Sequence, residues 1–136
     1  MTSKVIYLGD LRTECEHVKS SDKFITDAPT DNNGKGEAFS PTDTVATALA
    51  SCMLTVMGIK AKQMEGVELK GSTAEVTKIM KADPRRIARV EIKLNLQGVQ
   101  TEKEMKILEN TAKTCPVLNS LHPDMEKEKL SRPQIR

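Results

Sequence analysis

The sequence predicts an α+β fold, with antiparallel strands and one long central helix covered on most sides. Three observations predict it. Val90, Ile92, Leu94 and Leu96 alternate with Glu91, Lys93, Asn95 and Gln97, the period of a half-buried strand. Residues 40–65 form an apolar segment at helical spacing, opened by Ser40-Pro41-Thr42-Asp43. Strand and helix signals otherwise come in blocks, without the repeating βαβ unit of a doubly wound sheet.

Residues 4–27 read as a short antiparallel meander, with Val5 and Tyr7, then Leu11, Thr13 and Cys15, then Phe24 and Ile25. Gly9-Asp10 and residues 20–22 supply its turns, and residues 28–39, rich in turn formers, form a loop. Ser40 is then an N-cap, Pro41 sits at N1 and Asp43 at N3, so a capping box starts the helix. That helix is expected to run to about Glu65 and close at Gly66, with Val45, Ala48, Leu49, Cys52, Val56 and Ile59 on one face. Residues 67–81 and 87–99 are expected as two strands joined at Ala82-Asp83-Pro84. Thr101 and Glu104 mark a second capped helix, with Met105, Leu108, Ala112 and Cys115 as its buried stripe. Pro116 starts a further short helix through Leu121, His122-Pro123 turns the chain, and residues 125–130 make a last edge strand whose charges deter stray pairing.

The length of 136 residues and 38% hydrophobic content fit one domain spanning 1–136. With no Trp, one Tyr and two Phe, the core must be aliphatic and modest, which favours help from an oligomeric partner. The 21 basic and 19 acidic side chains are spread along the chain, which argues against nucleic acid or an anionic membrane as partner. No signal peptide is read at the start, and residues 45–59 are too short and too rich in hydroxyls for a membrane span, so a cytoplasmic protein with reduced thiols is expected.

Three cysteines spaced 37 and 63 apart match neither a disulfide scaffold nor a zinc site, and the two histidines form no cluster with them; neither metal nor cofactor is expected. A lone cysteine on an apolar helix face is more often packing than chemistry. The helix dipole does not activate Cys52, which lies eleven residues past N1, or about 16 Å from the turn where the dipole acts. A reactive Cys52 therefore needs a cation from elsewhere. Arg12 is a candidate, because its guanidinium could stabilise a thiolate and orient a peroxide oxygen, although a solvated surface arginine is the commoner case. Asp10 or Glu14 could orient it. Arg85, Arg86 and Arg89 read as solvated residues around the hairpin. If the helices carrying Cys52 and Cys115 pack together, the two sulfurs could cycle between dithiol and disulfide. Cys15 reads as packing.

PTDTVATALASCM, followed 63 residues later by KTCPV, resembles the OsmC/Ohr superfamily of small thiol-dependent peroxidases, and the likeness covers almost the whole chain. The resemblance implies an intertwined homodimer in which antiparallel sheets wrap around the long central helices, with active sites at the subunit interface. It also implies that Cys52 is peroxidatic, Cys115 resolving, and Arg12 the brace of the reactive thiolate. The implied reaction is reduction of organic hydroperoxides, with an external dithiol as final reductant; Leu49, Met53 and Val56 are expected to line an apolar approach. One position departs from the family pattern: the glutamate that follows the helix-starting proline in the hydroperoxide reductases is Thr42 here, with Asp43 the nearest acid. Two other readings compete, a non-catalytic dimeric protein that binds a small ligand or serves in stress, and a thiol-disulfide oxidoreductase, which the absence of a CxxC disfavours.

Overall fold

The computed structural model describes residues 1–133, with side chains as far as Lys127. The chain divides into two compact units, one of residues Met1–Val45 and one beginning at Ala46.

In the first unit β1 (Ser3–Gly9), β2 (Arg12–His17) and β3 (Lys23–Asp27) form an antiparallel sheet in that order, the meander expected from the alternation. Cross-strand rows place Val5, Cys15 and Phe24 together, and Tyr7 with Thr13 and Thr26. Cys15 is half-buried in its row, and its Sγ lies 3.8 Å from Thr13 Oγ1. The β1–β2 turn holds Asp10 and Leu11 at φ 53° and 62°, an uncommon left-handed pair for residues with side chains. The loop that follows contains one short 3-10 turn, Thr30–Asn32.

Helix α1 (Pro41–Ala61) opens with the capping box written in the sequence. Asp43 N–H donates to Ser40 Oγ at 3.0 Å, and Ser40 N–H donates to Asp43 Oδ2 at 3.0 Å, so two otherwise orphaned donors are satisfied. The helix stops four residues before Glu65, because Gln63 and Met64 donate to the carbonyls three residues back, tightening the end into a turn. Its buried face also differs from the expected stripe. Ala46, Leu49, Ala50, Met53, Met57 and Ala61 are buried, whereas Val45 and Ile59 are exposed. A helix apolar on most sides carries no moment strong enough to choose its own face, so the packing partners choose it.

In the second unit those residues join one core with Val90, Ile92, Leu94 and Leu96 of β5 (Arg86–Leu96) and with Met105, Leu108 and Ala112 of α2 (Glu102–Ala112). By length and mean hydropathy α1 would pass for a membrane-crossing helix. Leu49 and Met57, with no exposed surface, are instead committed to this core.

β4 (Thr73–Lys81) pairs antiparallel with β5 through the turn at 82–85. It begins later than expected. Val67 and Leu69 alternate like a strand but pack against the core from a turn, where Ser72 N–H donates to Leu69 O at 2.9 Å. β5 ends at Leu96 because Gly98 turns the chain at φ 75°. Thr101 caps α2 in a full capping box with Glu104. After α3 (Pro116–Ser120), β6 (Glu126–Pro133) takes the edge position, as expected for residues 125–130; its side chains beyond Lys127 lie outside the described residues. The β1–β2, β2–β3 and β4–β5 pairings are antiparallel as expected, and β6 is the exception, pairing parallel with β5. The crossover through α2 and α3 is long enough to return the chain to the end at which β5 began.

Candidate active site

The two cysteines singled out by the sequence lie in the second unit. Cys52 sits on α1, half-buried against the core, and packs with it among other partly buried apolar side chains such as Val117 and Leu118. Cys115 has no exposed surface and stands between α2 and α3, as the N-cap of α3. Local sequence explains this position. Pro116 cannot continue α2 but suits the first turn of a new helix, so the chain breaks and restarts at the cysteine.

The two cysteine side chains are neighbours on one core. Burial pushes the Cys115 thiol above its ordinary range, and its hydrogen bond with the Cys52 side chain pushes it further in the same direction. The Leu118 and Val117 N–H groups pull the other way, without reaching the geometry of a helix-capping bond. Both cysteines are free, and the sulfurs are not at bonding distance. The arrangement is a fully buried Cys115 thiol that holds its proton beside a half-buried Cys52.

This has a consequence for stability against pH. A thiol whose pKa is raised on folding stabilises the native state fully below its unfolded value, about 8.5, and that contribution is lost as pH rises through the higher folded value. Thermal unfolding of the reduced protein is expected at falling temperatures from about pH 8.5 upward. The same scan on Cys115→Ala should show a shallower decline; an identical slope in both proteins would remove Cys115 as the cause.

Arg12 belongs to the first unit, at the start of β2, directly after the left-handed pair Asp10 and Leu11. Neither acid anticipated for it is its partner in an ion pair. Glu14 pairs with Lys23 at 3.2 Å, whereas Arg12 Nη1 meets Glu37 Oε2 at 3.5 Å. Asp27, the residue opposite Arg12 on β3, is fully buried. Its Oδ2 accepts the Glu37 N–H at 3.0 Å, while Oδ1 has no hydrogen-bond partner among the described residues. Sequence reasoning missed both acids. Glu37 is 25 positions from Arg12 inside a turn-rich loop, and Asp27, beside Ala-Pro, looks like an ordinary turn former.

Leu49 and Met53, expected to line an approach to Cys52, do not, since both are buried in the core; Val56 is only partly buried and packs against it. Arg89, taken for a solvated residue, is ion-paired with Glu91 at 3.0 Å and with Glu126 at 2.6 Å.

Comparison with known proteins decides the lineage. The model of the OsmC-like protein family matches residues 34–128, a stretch that contains both cysteines of the pair. The chain belongs to the OsmC-like family. A solved structure from Psychrobacter arcticus 273-4, of a protein assigned to the osmotic stress induced and detoxification response, is 55% identical, with 97% of this chain and 96% of that one covered and a TM-score of 0.93. The organic hydroperoxide resistance protein OsmC of Legionella pneumophila shares 18% identity over 96% of both chains, with a TM-score of 0.75. An organic hydroperoxide resistance protein from Elizabethkingia anophelis shares 15% over 98% of this chain and 97% of its own, also at 0.75. These more distant likenesses speak for the fold. No curated protein matches the chain.

Proposed function

We propose that the protein is a thiol-dependent peroxidase that reduces organic hydroperoxides with the pair Cys52 and Cys115. The observation that carries this reading is a fully buried Cys115, kept protonated, with the half-buried Cys52 side chain as its neighbour on the same core. The Cys52 thiolate attacks the distal peroxide oxygen. The O–O bond breaks, the alkoxide leaves as an alcohol after taking a proton, and Cys52 becomes a sulfenic acid. Cys115 then attacks that sulfur, water leaves, and a Cys52–Cys115 disulfide forms. An external dithiol returns both to thiols and is itself oxidised. Arg12 braces the thiolate and aligns the peroxide. A cytoplasmic setting, where thiols are kept reduced, suits this cycle.

The working unit in this proposal is a homodimer. Val5, Tyr7 and Phe24 share one face of the first sheet and are exposed, as is Ile6 on the other face, more apolar surface than so small a sheet leaves to water without a partner. A second copy of the chain is the occupant the family resemblance implies.

One experiment tests the cycle. After one equivalent of an alkyl hydroperoxide, mass spectrometry of the reduced protein, kept at native dimer mass, should show a Cys52–Cys115 disulfide. Cys115→Ser should instead hold a sulfenic acid at Cys52 that a cyclic dione labels. Unmodified Cys52 in both proteins sinks the assignment.

A further inference from the structure

Arg12 lies in a setting that local sequence does not account for. Its partner, Glu37, is carried by the loop between β3 and α1, and that loop is fixed rather than loose. Gly36 N–H donates to Ala28 O at 3.1 Å, Gly34 N–H to Pro29 O at 2.9 Å, and Asp27 N–H to Phe39 O at 3.0 Å. At Gly34 a Cβ would fall 1.7 Å from Ala28 O, so the loop is closed too tightly for any side chain there. On the other side, Ala28 N–H donates to Leu11 O at 3.1 Å, which ties the backbone next to Arg12 to the same loop.

The pin at the centre is Asp27. A fully buried carboxylate is costly unless its oxygens are satisfied, and here one oxygen is spent on the Glu37 backbone N–H at 3.0 Å. The other has no hydrogen-bond partner among the described residues. Arg12 and Asp27 face each other across β2 and β3, so their side chains leave the sheet on the same side. Arg12 therefore pairs with one exposed acid, and the buried acid opposite it in the sheet sets where that exposed one begins.

We propose that Glu37, anchored by Asp27, is the positioning residue for Arg12, supplying from the loop the acid that the family pattern would place at Thr42. This rests on the peroxidase reading. The ion pair is exposed and adds little to folding, so its use is to restrict the rotamers of a long side chain before substrate arrives. Glu37 acts only through Arg12 and touches neither sulfur nor peroxide.

The test is a double-mutant cycle on the full chain, reading kcat/KM for a tertiary alkyl hydroperoxide. Glu37→Gln is expected to lose roughly tenfold or more, since misplacing an aligning group costs on that scale. In an Arg12→Ala background the same change is expected to cost nothing, because there is no guanidinium left to position. An equal loss in both backgrounds makes Glu37 a general structural residue and overturns the proposal. So does wild-type kcat/KM in Glu37→Gln when Cys52→Ser is inactive, an outcome that leaves the peroxidase reading standing. Equal turnover by Cys52→Ser and wild type would overturn that reading, and the positioning role with it.

Discussion

Cys52→Ser is expected to abolish consumption of organic hydroperoxide, with a loss of roughly a thousandfold or more in kcat/KM. The size follows from the nucleophile. A thiol supplies some anion at neutral pH and sulfur is intrinsically reactive toward peroxide oxygen, whereas a serine hydroxyl in the same place supplies neither. The substitution costs little in folding, because Cys52 is half-buried and its replacement is nearly isosteric. It also leaves Cys115 with an oxygen to face in place of the Cys52 sulfur. A kinetic assay with a tertiary alkyl hydroperoxide and excess dithiol checks it. Residual turnover in Cys52→Ser within a few-fold of wild type would move the chemistry away from this pair.

Peroxide supplied in one equivalent separates the two cysteines further. Cys115→Ser keeps the attacking sulfur, so its first turnover survives and only closure to the disulfide is lost. The two variants thus probe different bonds, O–O cleavage in one and S–S formation in the other.

What the sequence made legible was whatever rested on short-range chemistry. Both capping boxes, the alternation of β5 and the break at Cys115-Pro116 each depend on residues within a few positions of one another, and each is found where it was expected. The buried face of α1 was not legible, because Val45 and Ile59 are as apolar as Leu49 and Met57, and only packing distinguishes them. The parallel pairing of β6 was hidden for a related reason. Strand signals report the period of the side chains and are silent about which way the partner runs. At the site, the pairing of Cys52 with Cys115 could be raised from two amphipathic stripes, while the Arg12–Glu37 pair could not, since a 25-residue separation through an irregular loop carries no periodic mark.

Gly98→Ala is expected to destabilise the protein by about 3 kcal/mol or more, and the comparison with Gly66→Ala shows where that figure comes from. Both glycines have φ of +75°, so both substitutions put an alanine into the left-handed region at about 1–2 kcal/mol. Around Gly66 nothing lies within 4 Å of the new Cβ, and the conformational penalty is the whole expected effect. Around Gly98 the Cβ would sit 1.9 Å from the backbone oxygen of Glu68. No rotamer relieves a contact between Cβ and backbone, so the chain itself must shift. The neighbours make that shift expensive, because Gln97 N–H donates to Ser72 Oγ at 2.8 Å and Val99 is fully buried. The displaced segment leads directly into α2 and from there to Cys115. Chemical denaturation of the two variants, side by side, measures the steric part as their difference. A Gly98→Ala variant no less stable than Gly66→Ala would mean that the 68–98 contact yields freely. If it does not yield, Gly98→Ala should also weaken the proposed disulfide formation after peroxide, because the position of Cys115 beside Cys52 depends on where α2 ends.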